Sequence, residues 1–222
     1  MSGAVNGFKK ALFIQRFLAF MIDAFIILVL TSIISIPFVN NKQIEKLNNK
    51  SYELIEKMRD NDISSSKYIT DYMNISYDLA KNNGMTTIIS IFFGLIFYVV
   101  YPLHNKGQSI GKRLLKIKIV SENGVLTMNQ LIFRSFIANS MLLDLLSVVL
   151  LLVTSKPIYL CCFGLFSVIQ YMVTFISIFM IICSKKGRAI HDIVARTCVV
   201  KEDIKWEILV NKNLLGEKKV KR

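Results

Sequence analysis

The chain has 222 residues, 53% of them hydrophobic, and a mean hydropathy of +0.48. That balance excludes an ordinary soluble domain and points to an integral membrane protein. A net charge of +13 would suggest nucleic acid in a soluble chain. Here most of the excess flanks long apolar blocks, which fits a bilayer with anionic headgroups and excludes nucleic acid as the partner.

The first apolar block covers 17–39, long enough to span a hydrocarbon layer ~30 Å thick. Arg16 stands at its mouth and Asp23 inside it, seven residues on, so both share one helix face with Ala19 between them. At ~1.5 Å per residue Asp23 lies roughly 9 Å deep. A carboxylate there must face other protein or trapped water. The block is too long for a cleavable signal peptide, and no small-x-small site follows it.

Residues 40–84 form a polar loop with two amphipathic stretches. Ile44, Leu47, Leu54, Ile55 and Met58 recur at helical spacing, Ser64-Ser65-Ser66 interrupts, and Tyr68, Ile69, Tyr72 and Leu79 follow. Two short helices are expected. A second span is expected at 85–103. After it, Gly107-Gln108-Ser109-Ile110-Gly111-Lys112-Arg113 resembles a phosphate loop but has the wrong glycine spacing and no Ser or Thr after Lys112. A tight bend with Lys112 and Arg113 at headgroups is the expectation. The alternation in 116–120, the Asn123-Gly124 turn and Val125-Leu126-Thr127 then predict a small cytoplasmic β-hairpin; 197–200 is a further candidate strand that could pair with it.

The third span is expected at 131–153, with Arg134 snorkelling at its end. Asn139 and Asp144 lie deeper, Asp144 roughly 20 Å from the boundary at ~1.5 Å per residue. The fourth span is expected at 158–183 and carries Gln170. Asn139, Asp144 and Gln170 read either as a secondary polar path for a proton or small cation or as interhelical hydrogen-bonding glue. Beyond it, Asp192 falls level with Arg16, so an Arg16–Asp192 ion pair is expected. His104 and His191 read as surface histidines. The four cysteines have no C-x-x-C spacing and are expected to be free, buried thiols. Trp206, Ile208, Leu209, Leu214 and Leu215 among lysines suggest an interfacial tail helix.

Lysines and arginines fix the expected orientation. The N-terminal flank carries Lys9, Lys10 and Arg16. The loop after the second span has five basic residues against one acid, and the tail from 184 on has eleven against five. The 40–84 loop has seven of each, so it is placed outside and both termini are placed in the cytoplasm.

Three motifs in order carry a resemblance: Arg16-x-x-Ala19-x-x-x-Asp23, then the segment from Gly107 to Leu115, then His191-Asp192 before Thr197-x-Val199-Val200. The chain resembles the RDD family of bacterial membrane proteins. The resemblance implies a multi-span helical protein with Arg16, Asp23 and Asp192 as signature residues. Transport of unidentified ligands is suggested for the family, and cation/proton exchange for some members.

The expected architecture is an all-α membrane protein: four transmembrane helices and a small cytoplasmic β-hairpin, with a transmembrane domain over 1–205 and a basic amphipathic tail at 206–222. The expected location is a bacterial cytoplasmic membrane. The expected function is transport, most concretely of a monovalent cation exchanged for a proton, with Asp23 alternately protonated and a homodimer needed because four spans are few. The alternative is a non-transporting assembly or regulatory subunit. No nucleophile–base pair, H-E-x-x-H motif or paired-carboxylate set marks an enzyme, and no cofactor or metal-ligand set is indicated.

Overall fold

The structure, a computed structural model, describes residues 9–184 and 187–202; the tail 206–222 and the domain limit at 205 lie outside them. Helix α1 (Phe13–Ser35) contains no glycine or proline and runs until Pro37 turns it into a short 3₁₀ segment, Ile36–Phe38. The two helices expected in the loop are present. α2 (Asn41–Arg59) starts where the Asn40 side chain accepts from the Gln43 amide, and α3 (Ser65–Asn82) where Ser64 accepts from that of Lys67.

α4 (Gly84–Leu95), a wide π turn (Ile96–Val100) and α5 (Tyr101–His104) form one apolar rod. Pro102 has no amide to offer the Tyr98 carbonyl four residues back, and the Ser135 hydroxyl donates to that carbonyl instead, at 3.4 Å. Next come α6 (Ile110–Leu114), β1 (Ile117–Ser121), α7 (Met128–Ala138), α8 (Met141–Val153), α9 (Lys156–Cys183), α10 (Ile190–Val194) and β2 (Thr197–Lys201).

Three helical rods, Phe13–Phe38, Gly84–His104 and Lys156–Cys183, are long and apolar enough to cross a membrane. Few of their large side chains are buried in protein, and many are exposed, as lipid-facing residues must be. The third expected span is not a straight helix. α7 and α8 are bent by 74° at Asn139–Ser140, where Ser140 takes a left-handed φ of 56°. Short polar side chains tolerate such a break, which apolar β-branched residues would resist. The pair counts as a fourth span only as a broken one.

The expected hairpin is also corrected. Residues 125–127 form no strand; β1 pairs instead with β2, antiparallel, with Ile119 opposite Val199. This is the pairing left open for 197–200. The N-terminal segment adds to the same sheet, since Lys10 bridges Val200 and the Ala11 amide donates to the Val199 carbonyl at 3.1 Å. Of the cysteines, all free, only Cys198 is buried in protein; Cys161 and Cys183 are exposed on α9.

Residues 107–122 and 187–202 are two copies of one device, eighty residues apart. Each copy opens on a glycine with positive φ (Gly107 +82°, Gly187 +57°) and continues through a five-residue helix, α6 or α10. A left-handed basic residue follows (Lys116 52°, Arg196 51°), then a five-residue strand. The contacts are reciprocal. The Glu122 amide donates to the Arg196 carbonyl and the Glu202 amide to that of Lys116, at 3.0 and 2.9 Å. Gln108 donates to Glu202 at 3.2 Å, while its counterpart Arg188 pairs with Glu122. Ile119 and Val199, which face each other at the centre of the sheet, are themselves counterparts.

The described chain falls into two compact units. One holds residues up to 25, 96–135 and those from 173 on; the other holds 26–95 and 136–172. In the second unit Tyr159 is its largest buried side chain, set edge-on to Tyr77 at 5.4 Å between centroids and 3.1 Å from the Ser147 hydroxyl. The charged residues of the signature all lie in the first.

Candidate functional site

Within the first unit, the N-terminal half of α1 is held by both copies of the repeat. Asp23 is fully buried, and both its oxygens act as acceptors. The Ser109 hydroxyl donates to one at 2.5 Å and the Gly111 amide to the other at 2.7 Å. Asp23 thus covers the first turn of α6, where backbone amides lack helical partners. The approach requires glycine, because a Cβ on Gly111 would run into the Ala19 carbonyl oxygen. Ala19, itself fully buried, is small for the same reason. Gly107 is packed as closely beneath the Ile119 carbonyl. The glycine motif is therefore a docking surface for α1 rather than a bend exposed to headgroups.

Asp192, the third residue of α10, is also fully buried. It accepts from the Ala189 amide at 3.1 Å, from Arg16 Nη1 at 3.0 Å and from Arg134 Nη1. Arg16 also donates to the Val199 carbonyl at 3.1 Å, and Arg134 to the Thr197 hydroxyl at 3.2 Å. The expected Arg16–Asp192 pair is present. Arg134 does not snorkel; it is buried and is the second arginine on the same carboxylate. Arg16 and Asp23 share a helix but turn to different copies of the repeat, Arg16 to the second and Asp23 to the first.

Two further groups complete the cluster. Lys112, at the position in α6 that Asp192 holds in α10, turns inward, with its ammonium 3.1 Å from the Ser109 hydroxyl. Burial and then the charge of Arg134 push its pKa down to about 8, opposed by Asp23 and aided by Arg16. His191, expected at the surface, is half-buried beside Asp192, 3.8 Å away. Burial, followed by the charges of Arg134, Arg16 and Lys112, holds its pKa well below the usual imidazole range. His104 is exposed as expected.

The secondary path residues all belong to the second unit. Asn139 sits at the break between α7 and α8, so the depth counted for Asp144 along a straight helix does not hold. The Gln170 amide donates to the Ile137 carbonyl at 3.0 Å, the interhelical glue reading. Asp144 is half-buried in the first turn of α8. Among the described residues no group of three His, Cys, Asp or Glu side chains is placed to hold a metal ion.

Sequence reasoning missed Arg134, Ser109, Gly111 and the inward turn of Lys112. The eighty-residue offset was the available signal: Gly107/Gly187, Ile110/Ile190, Val120/Val200 and Glu122/Glu202 are identical across it.

No curated protein and no solved structure matches the chain. The model of the RDD family matches residues 10–196, a stretch that contains the whole first copy of the repeat, the second copy up to the start of β2, and every charged residue of the cluster. The chain is a membrane protein that belongs to the RDD family.

Proposed function

We propose that this RDD protein is a proton-coupled transporter of a small ligand, most concretely one that exchanges a monovalent cation for a proton. Asp23 carries the reading: a wholly buried carboxylate on a helix long enough to cross the membrane, set in a cluster with more cations than carboxylates. Burying unbalanced charge in this way is costly, and in membrane proteins it marks ion and proton pathways. The site is not that of an enzyme in this reading, and with few spans the working unit is a homodimer.

The same contacts support a topology. The start of α1, the end of the Gly84–His104 rod, the start of α7 and the end of α9 all belong to one unit, so they leave the bilayer on one side. If the three long rods each cross, the α7–α8 pair must carry the chain back between α5 and α9, which makes four crossings. The basic flanks favour the cytoplasm of a bacterial cell for that shared side, beside anionic headgroups.

One observation favours a second reading, an assembly or regulatory subunit whose charges lock the bundle: the Asp192 oxygens are taken by two guanidinium groups and a backbone amide. Cation-dependent proton flux in proteoliposomes, compared between wild type and Asp23→Asn at matched incorporation, separates the two. Exchange predicts flux in wild type and none in the variant. Absence of flux in both, with a lowered melting temperature in the variant, moves the assignment to the locking role.

A further inference from the structure

We propose that Lys112 is the proton-binding group of this site, its ammonium being the removable positive charge that faces Asp23 through the Ser109 hydroxyl. The geometry is a short relay, Lys112 Nζ to Ser109 Oγ at 3.1 Å and Ser109 Oγ to Asp23 Oδ2 at 2.5 Å. One hydroxyl therefore joins an amine on the first copy of the repeat to a carboxylate on a membrane helix.

The other two cations of the cluster are fixed. Arg16 and Arg134, the cations that face Lys112 from α1 and α7, are guanidinium groups, which keep their protons throughout the physiological range. Asp192 is held by both of them. Both oxygens of Asp23 are engaged as acceptors. His191, facing from α10, is kept neutral by burial and then by its cationic neighbours. Three cations then stand against two carboxylates, and Lys112 is the one whose charge can leave.

Burial and Arg134 bring Lys112 within reach of cellular pH, at about 8. The step is simple: the Lys112 ammonium loses one proton to water and becomes a neutral amine, while Ser109 keeps its own proton on Asp23. Removing this charge makes the cluster neutral, and protonation restores the excess. The counterpart position in the second copy is Asp192, a fixed anion, so the two copies differ at the residue on which the proton balance turns.

The role in transport rests on the exchange reading above; the protonation itself does not. Two measurements on the full chain keep them apart. The first is side-chain lysine NMR in detergent, with Lys112 identified by the signal lost in Lys112→Arg. A midpoint near 8 is expected; titration at the ordinary lysine value of 10.5 overturns the proposal, whatever the flux. The second is the pH profile of cation-dependent proton flux. Wild type should show a step near pH 8 that Lys112→Arg, which keeps the charge and size but holds its proton, removes. An active Lys112→Arg protein with an unchanged profile also overturns the proposal. Absence of flux from wild type defeats the exchange reading alone, and the NMR midpoint still decides the proton site.

Discussion

A single carboxylate, Asp192, holds two arginines that are 118 positions apart in the chain, which makes it the most demanding residue of the cluster. Removing its charge leaves Arg16 and Arg134 buried without an anion, and breaking a buried pair in this way costs about 3–5 kcal/mol. Asp192→Asn should therefore lower the melting temperature in detergent far more than Lys106→Gln at an exposed position. His191 sets the acid limit. Its pKa is depressed in the folded protein, so the unfolded chain binds the extra proton first and stability falls as pH drops below about 6.5. Unfolding followed from pH 7.5 to 5 should show this loss in wild type and less of it in His191→Asn. Of these residues, the sequence made the Arg16–Asp192 pair legible because both lie at span ends on one side. Arg134 was not, because a lone arginine at the end of an apolar block looks the same whether it reaches to headgroups or inward.

At the scale of elements, α6 illustrates how much backbone geometry hides in a motif. Its glycines look like a flexible bend, yet Gly111 is where α6 meets the Ala19 carbonyl and Gly107 combines a positive φ with close packing under Ile119. Gly111→Ala should undock α6 from α1, leaving Asp23 buried without its donors. A loss of about 2 kcal/mol or more is expected in unfolding measurements. Gly124→Ala is the control for glycine loss in general, since the same methyl would meet open space there, although its φ of +92° adds local strain. The break between α7 and α8 makes the opposite prediction. Ser140 occupies a left-handed conformation that glycine adopts without strain, so Ser140→Gly should preserve or raise stability by up to about 1 kcal/mol, and Ser140→Val should lower it. Apolar run length alone could not reveal this break, because hydrophobicity passes through Asn139–Ser140 with little interruption. The amphipathic helices α2 and α3 were legible, since their apolar spacing and the Asn40 and Ser64 caps agree. The hairpin was misplaced because Asn123-Gly124 is a sound turn signal, but the partner strand lies beyond α7, α8 and α9.

The whole molecule is a set of membrane helices whose ends are gathered by two related copies of a short helix–strand device. The spans could be read from apolar length, whereas the repeat left only a faint eighty-residue signal, since four of its positions are identical and its third helical position inverts charge. That inversion, Lys112 in one copy and Asp192 in the other, lets two similar structures grip the acid and the base of α1 together. The measurement that tests this most directly is a double-mutant cycle on Arg16→Gln and Asp192→Asn, read as unfolding in detergent. If α1 is held through a direct bond in a shared cluster, the two changes should be strongly non-additive, with a coupling of about 1 kcal/mol or more. Strictly additive losses would contradict the account, because Arg16 and Asp192 would then be stabilising the protein independently.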